Sequence, residues 1–154
     1  MGVDINVREA RSDELALAAS HYLGMRREIG WSDDKLEPGW ELRFAEVYSG
    51  GSSRGELRYF VAEMESVVVG SAVAMRKRSL STEYVRDPVC GYLANVYVEE
   101  PYRLRGAARA LTTAAIEWLR SVGCDVVRLQ ASSAGRRLYE SMGFAPSGEL
   151  ELPL

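Results

Sequence analysis

A β-rich segment that passes through a small-residue turn into an amphipathic segment constrains the fold of this chain more than any other feature. Gly91 to Glu99 reads GYLANVYVE, and its aromatic and β-branched residues are typical of a central, mostly buried strand. From Ala107 to Val122 apolar residues recur every three or four positions, and Gly123 follows the last of them. This pattern predicts a strand followed by a helix, and therefore a fold that mixes the two.

The turn between these two elements is suited to bind an anion. The first backbone N–H groups of a helix have no intrahelical partners and lie at the positive end of its macrodipole. Gly106, Ala107 and Ala108 are small enough for a phosphate to approach the backbone, while Arg103, Arg105 and Arg109 add positive charge. Close helix-to-sheet packing, with the arginines simply solvated, is the alternative explanation.

The turn from Arg103 to Ala108 resembles the RxxGxG/A signature of the GCN5-related N-acetyltransferases (GNAT), which binds the pyrophosphate of acetyl-CoA in that family. The segment Leu138 to Phe144, LYESMGF, is similar to the family's LYxxxGF element, and the predicted strand Val126 to Ala131 lies where the family has its fifth strand. The resemblance implies a mixed α/β sheet of about six or seven strands flanked by about four helices. It also makes Arg103, Leu104, Arg105, Gly106, Ala107, Ala108 and Arg109 the expected cofactor-binding turn.

Two positions depart from the family pattern. Leu104 replaces a glycine that often follows the arginine, and Ser132 replaces an asparagine that commonly contacts the cofactor. Ser132 can still offer a hydroxyl as donor and acceptor, so we expect it to contribute to cofactor binding. We expect these departures to affect affinity more than cofactor identity.

The resemblance also assigns roles to the predicted central strand. In the family this strand holds the pantetheine and thioester ends of the cofactor, and the matching residues here are Val96, Tyr97 and Val98. A backbone N–H of Val98 aimed at the developing oxyanion would stabilise it electrostatically. The same side chains can serve as sheet core without excluding that backbone role.

Acetyl transfer to an amine needs a group that removes a proton and a group that donates one. By resemblance Tyr139 is the general acid, although a tyrosine at this position could also be core. Glu99 is the nearest acidic candidate for the general base, and strand alternation predicts that it shares a face with Asn95 and Tyr97. The alternatives are a water held by Asn95 or Tyr97, an acid from the segment 28–41, and, more weakly, His21.

The rest of the chain predicts further elements in a definite order. A short strand at Ile5 to Arg8 precedes a helix capped by Ser12, and a second helix over 42–48 ends near a glycine- and serine-rich loop at 49–55. Tyr59 to Met64 and Val67 to Met75 read as a hairpin, and 77–88 as a polar excursion. Two short strands around Pro146 to Leu152 would complete the sheet.

Length, charge and cysteine content exclude several classes of protein. A chain of 154 residues is most simply a single domain, residues 1–154, and its net charge of −3 argues against nucleic-acid binding. Residues 1–100 carry 12 basic and 17 acidic side chains, and residues 101–154 carry 7 basic and 5 acidic ones. The acidic first part suits a cationic amine, and the basic second part suits a polyanion. No stretch is typical of a membrane span or leader, so we expect a cytoplasmic protein. Two cysteines, Cys90 and Cys124, and the single histidine predict no metal site.

The resemblance therefore implies an acetyl-CoA-dependent N-acetyltransferase that acts on a primary amine of a small molecule or peptide by direct attack in a ternary complex. A non-catalytic acyl-CoA sensor or interaction domain is the alternative, because no general base is obvious. The aromatic residues of the first half suggest an apolar acceptor pocket, but core packing explains most of them equally well: Tyr22, Met25, Trp31, Trp40 and Phe44. The apolar end, Leu150 to Leu154, suggests a homodimer.

Overall fold

The computed structural model describes residue 2, residues 4–78 and residues 89–154. The chain follows the order that the sequence predicts as far as its last helix. The helices and strands are β1 (Asn6–Glu9), α1 (Leu15–Glu28), α2 (Trp40–Ser53), β2 (Leu57–Met64), β3 (Val67–Arg78), β4 (Val89–Val98), α3 (Ala107–Ser121), β5 (Val127–Leu129) and α4 (Arg136–Ser141).

Within the described residues, five strands form one mixed sheet in the order β1-β2-β3-β4-β5. Neighbours from β1 to β4 are antiparallel, and β5 runs parallel to β4. A parallel pair needs a crossover, and α3 provides it. This arrangement confirms the mixed α/β sheet with four flanking α-helices.

The strand count differs from the six or seven expected, because the described carboxy-terminal segment forms no strand. The two strands expected around Pro146 to Leu152 are absent there. Pro146 has no N–H to donate to a ladder, and Gly148 has a φ of 80°, outside the range of an extended strand. Leu150 and Leu152 are exposed instead of packing on the sheet.

Helices cover both faces of the sheet and produce two hydrophobic clusters. Leu111, Ala115 and Leu119 of α3 are fully buried against one face, and Tyr139 of α4 packs with them in what we call the α3-side cluster. On the opposite face, Ala18 of α1 and residues of α2 pack against β2 and β3. The amphipathic pattern of α3 therefore has the structural role that the sequence predicts.

Two helix boundaries differ from the sequence-based expectations. Ser12 does not cap α1; it begins a 3₁₀ turn, Ser12–Glu14, that leads into the helix. Gly50 and Gly51, expected in a loop, lie in the last turns of α2. Gly51 is buried against Leu57, and a Cβ there would be 2.5 Å from Leu57 Cδ2. The polar excursion expected at 77–88 begins inside β3, and its residues 79–88 lie outside the described part.

Within the described residues, none of the helices combines the length and apolar character that crossing a membrane requires. Cys90 and Cys124 are both buried and unpaired. They occupy positions where a small apolar side chain packs, as their places beside strands indicate.

Candidate active site

Strand β4 extends beyond its pairing with β5, and we call the space beside this unpaired edge the cleft. The two strands pair only from Gly91, Tyr92 and Leu93 to Val127, Arg128 and Leu129, after which β5 ends and β4 continues to Val98. The β4 edge from Ala94 to Val98 therefore has no strand beside it on that side among the described residues. Crevices at the carboxyl ends of parallel strands are common ligand sites in open α/β sheets.

A β-bulge in β4 changes which residues face each side of the sheet. Ala94 pairs with Val73, whereas Tyr97 pairs with Ser71, so one residue more stands on β4 than on β3. Asn95 at the bulge has a φ of 53°. Before the bulge an odd-numbered residue, Leu93, packs in the α3-side cluster. After the bulge an even-numbered residue, Val98, packs there, so the alternation has shifted by one residue.

The bulge corrects one expectation from the sequence. The sequence predicted that Asn95, Tyr97 and Glu99 share one face of the sheet. Because the bulge interrupts the alternation of side chains between Asn95 and Tyr97, the alternation rule does not place Asn95 on that face. Tyr97 and Glu99 do share a face, since both lie against His21 of α1. The bulge thus brings an aromatic ring and a carboxylate to the α1 side of the cleft.

The backbone of Val98 points into the cleft. The N–H of Glu99 donates to the Val69 carbonyl of β3 at 2.8 Å. Because successive residues of a strand direct their backbone groups to opposite edges, the Val98 N–H and carbonyl point away from β3. The Val98 carbonyl accepts from Arg103 Nε at 2.8 Å, which agrees with that direction. The Val98 N–H is therefore a donor on the open edge of β4.

The turn before α3 presents free backbone donors. Gly106 precedes the helix with a φ of 99°, and Leu104 has a φ of 60°. The first helical bond runs from the Ala110 N–H to the Gly106 carbonyl at 3.0 Å. The N–H groups of residues 107–109 consequently lie outside the helical ladder, as at any helix start.

The side chain of Leu104 is fully exposed, so it does not fill the turn. Ala107, at the first position of α3, is buried and packs in the α3-side cluster. Its small side chain therefore also serves the close helix-to-sheet packing considered from the sequence. The two explanations of the turn are compatible.

The three arginines of the turn have different surroundings. Arg103 forms an ion pair with Glu28 at the end of α1 and lies 5.5 Å from the Tyr97 ring centroid. Arg109 Nη2 donates to Ser141 Oγ of α4 at 2.6 Å. Arg105 makes no hydrogen bond or ion pair with any residue that the structure describes. Arg105 is thus the side chain most available to an incoming phosphate.

Tyr139 lies on α4 with its ring inside the core. It is 9% exposed and packs edge-to-face on Phe144, with ring centroids 5.8 Å apart. Burial raises the pKa of Tyr139 above its usual value, which keeps the phenol protonated near neutral pH. Gly135 permits this packing, because a Cβ there would be 2.9 Å from Tyr139 Cε2.

Ser132 has a local partner at the start of α4. Its Oγ accepts from the Gly135 N–H at 3.2 Å, and the side chain is exposed. One lone pair and the hydroxyl proton remain for another partner. The predicted contribution of Ser132 to cofactor binding stays a prediction.

Glu99 lies beside a buried histidine, a pairing that the sequence does not reveal. His21 is 2% exposed, with Nε2 3.4 Å from Glu99 Oε1 and Nδ1 2.7 Å from Ser71 Oγ. Burial lowers the pKa of His21 below its usual value, and the Glu99 carboxylate opposes this in part. His21 and Glu99 are 78 positions apart in the sequence, so no local pattern reveals the contact.

The aromatic residues of the first half form a connected stack between α1 and α2. Tyr22 contacts Trp40 and Phe44 at ring-centroid distances of 5.8 and 5.6 Å, and Phe44 continues to Tyr48 at 5.6 Å. Trp31 differs, being 52% exposed with its ring 4.5 Å from the Arg26 guanidinium. Most of this set therefore packs helices together, which is the second of the two sequence interpretations.

Comparison with known proteins agrees with this geometry. The model of the Acetyltransferase (GNAT) family matches residues 24–144 of the chain, which include β4, the turn and α4. The chain belongs to the GNAT acetyltransferase family. The match extends the resemblance beyond the turn and the Tyr139 segment to most of the sequence.

Solved GNAT structures reproduce the whole fold. A GCN5-related N-acetyltransferase from Ralstonia eutropha JMP134 superposes with a TM-score of 0.83 at 25% identity, covering 98% of this chain and 99% of that one. A predicted acetyltransferase from Clostridium acetobutylicum, solved with acetyl-CoA, has a TM-score of 0.79 at 23% identity, covering 97% and 96%. The second likeness, at lower identity, shows the fold alone.

Sequence similarity to a curated member is local. The N-alpha-acetyltransferase MAK3 of Arabidopsis thaliana is 40% identical over 62 residues, which cover 38% of this chain and 33% of that protein. The chain thus aligns with about a third of the length of this GNAT relative.

Proposed function

We propose that this GNAT protein transfers the acetyl group of acetyl-CoA to a primary amine of a small molecule or peptide. The observation that carries the proposal is the Val98 N–H on the open edge of β4, a few residues before the free N–H groups that begin α3. One donor suits a thioester oxygen and the others suit a pyrophosphate. The acetyl-CoA in the structure of the Clostridium acetobutylicum relative supports the same cofactor here.

The cofactor would lie along the gap between β4 and β5. Val96, Tyr97 and Val98 would bind its pantetheine and thioester through backbone groups, and residues 103–109 would surround its pyrophosphate. Arg103 would act mainly by fixing the turn, because its guanidinium already bonds the Val98 carbonyl and Glu28. Arg105 and Arg109 would supply charge to the phosphates, and Ser132 would add a hydroxyl.

Glu99 is the proposed general base. Its side chain is 38% exposed, so it can reach an acceptor, and the Val98 donor is on the preceding residue. An alkylammonium has a reference pKa of about 10.4 and must lose a proton before its nitrogen can attack. Glu28, from the alternative acidic segment, is less suited because it already pairs with Arg103.

The reaction balances with Glu99 and Tyr139 as the two proton-handling groups. Glu99 takes one proton from the ammonium, the nitrogen lone pair forms the C–N bond, and the C–S bond breaks with its electrons on sulphur. Tyr139 donates a proton to that sulphur. A second proton leaves the nitrogen as the amide forms and reaches Tyr139 through solvent, so one proton is released overall when Glu99 deprotonates.

The test combines cofactor binding with turnover. Calorimetry should detect acetyl-CoA binding, and a thiol-release assay with an amine library should detect transfer. Glu99→Gln should lower kcat by roughly 10²-fold or more without changing the acetyl-CoA Kd. Glu100→Gln, which removes the neighbouring exposed carboxylate, is the matched control and should keep wild-type kcat.

Binding without turnover on any amine would favour the non-catalytic acyl-CoA-binding alternative. No binding at millimolar acetyl-CoA would exclude both functions. Full kcat in Glu99→Gln would remove Glu99 from the role of base while leaving the transferase proposal intact.

A further inference from the structure

A row of buried polar groups extends from Glu99 into the protein interior. Glu99 Oε1 is 3.4 Å from His21 Nε2, His21 Nδ1 is 2.7 Å from Ser71 Oγ, and Ser71 Oγ is 3.0 Å from Tyr59 Oη. His21, Ser71 and Tyr59 are at most 2% exposed. A buried polar group without a hydrogen bond carries a desolvation cost, so each member of the row depends on the partner beside it.

The Glu99 carboxylate sets the direction of the hydrogen bonds. An ionised carboxylate only accepts, so His21 Nε2 must carry the proton that faces it. A neutral imidazole then has its lone pair on Nδ1, which accepts from the Ser71 hydroxyl. Ser71 Oγ in turn accepts from the Tyr59 hydroxyl.

The opposite direction is unfavourable while Glu99 is charged. Tyr59 would donate to the Ala18 carbonyl, 3.3 Å away, Ser71 would donate to Tyr59, and His21 Nδ1 would donate to Ser71. The Nε2 lone pair would then face the carboxylate, and the two would repel. Burial lowers the pKa of His21, which favours the neutral ring that the first arrangement requires.

Helix α1 and strand β4 hold the histidine in place. The Tyr97 ring lies 5.3 Å from the imidazole centroid, and a Cβ at Gly24 would meet Tyr97 Cζ at 2.8 Å, so α1 passes close to this ring. The Glu28 ion pair with Arg103 ties the end of α1 to the start of the turn. The imidazole consequently has little freedom to leave Glu99.

We propose that His21 is a positioning residue for Glu99: its Nε2–H holds Oε1, while Ser71 and Tyr59 fix the ring and its tautomer. This inference rests on the proposed function, in which Glu99 is the base. Oε2 makes no hydrogen bond with any described residue and is left for the acceptor amine. The separation is 3.4 Å, and we expect it to shorten when the acceptor binds, as catalytic hydrogen bonds commonly do.

Two substitutions of similar size separate the two bonds of the imidazole. His21→Gln places an amide nitrogen near the position of Nε2 and retains the bond to Glu99. His21→Asn reaches only as far as Nδ1 and retains the bond to Ser71. We expect His21→Asn to lower kcat about tenfold or more with an unchanged acetyl-CoA Kd, and His21→Gln to keep kcat within about threefold of wild type.

Equal kcat values for His21→Asn and wild type would overturn the positioning role, and so would an equal loss in the Asn and Gln variants. Thermal unfolding of each variant checks that both fold. If Glu99→Gln lowers kcat while His21→Asn does not, only this inference fails. If Glu99→Gln retains full kcat, the general-base assignment fails, and the positioning role of His21 fails with it.

A spectroscopic measurement tests the contact without turnover. His21 is the only histidine, so ¹⁵N imidazole spectra of the tag-free protein need no assignment. At pH 7.5 we expect protonated Nε2 and unprotonated Nδ1, with the Nε2 resonance shifted by Glu99→Ala and unchanged by Glu100→Ala. A protonated Nδ1 in the neutral ring, or no response to Glu99→Ala, would overturn the inference even if the protein transfers acetyl groups.

Discussion

Gly70→Ala should disturb the Val98 donor through a single added methyl group. Gly70 of β3 pairs with Val98, and a Cβ at Gly70 would lie 2.6 Å from the Tyr97 carbonyl oxygen and 3.1 Å from Val98 Cγ2. Ordinary van der Waals contact begins near 3.4 Å, so β4 must move by about 0.8 Å. The obstructing atom is backbone, which cannot rotate away.

A displacement of this size should affect both stability and catalysis. Overpacking costs about 1–3 kcal/mol, and about 2–4 °C of Tm per kcal/mol gives a fall of roughly 2–12 °C. Misplacement of a reacting geometry by about 1 Å costs about 10²-fold in rate, so kcat should fall about 10- to 100-fold. The acetyl-CoA Kd should change less, because the turn at α3 is untouched.

Scanning calorimetry and the thiol-release assay measure these effects, and Gly50→Ala is the matched control. Gly50 lies in α2, where a Cβ would meet only the flexible Arg54 side chain at 3.2 Å. Alanine there should be neutral or stabilise by up to about 1 kcal/mol. Wild-type Tm for Gly70→Ala would refute the packing argument. A lower Tm with unchanged kcat would refute the role of the Val98 N–H.

Three further predictions follow from other parts of the protein. Tyr139→Phe should lower kcat by about 10²- to 10⁴-fold in the thiol-release assay with little change in Tm, whereas full kcat at every pH would exclude the acid role. Asn95→Val should cost about 1–2 kcal/mol in urea unfolding, since its φ of 53° disfavours a β-branched residue, and Asn95→Gly should cost less. The Arg8 guanidinium lowers the pKa of Glu14 to about 2. The stabilisation of the folded protein by the ionised Glu14 carboxylate is therefore complete above pH ~4.5 and declines toward pH ~2. Glu14→Gln should lose about 1 kcal/mol at pH 7 after solvent screening and flatten that acid dependence, and a variant with unchanged stability at pH 7 would contradict the ion pair's role.

Local patterns predicted most of the fold because each depends on neighbouring residues. The period of α3, the glycine after it and the Gly/Ala turn before it are all read within one segment, and the structure has them there. Gly50 and Gly51 of α2 led to a wrong prediction of a loop, because their surroundings are not local in sequence. Gly51 lies inside a helix, where Leu57 from the next strand packs against it, and that contact is tertiary.

Two features of the candidate site have no signal in the sequence. The bulge at Asn95 lies in a segment where nearly every residue is apolar, so the sequence contains no polar alternation that would reveal a change of phase. The His21 contact with Glu99 joins α1 to the end of β4 and depends on the packing of both elements. A lone helix-face histidine is usually structural, and only its contact with Glu99 connects His21 to the proposed general base.

A crystal structure with acetyl-CoA tests the central claim most directly. We predict the thioester oxygen within about 3 Å of the Val98 nitrogen and the pyrophosphate against the N–H groups of residues 107–109. A thioester oxygen bound away from β4, or phosphates bound away from the start of α3, would contradict the account.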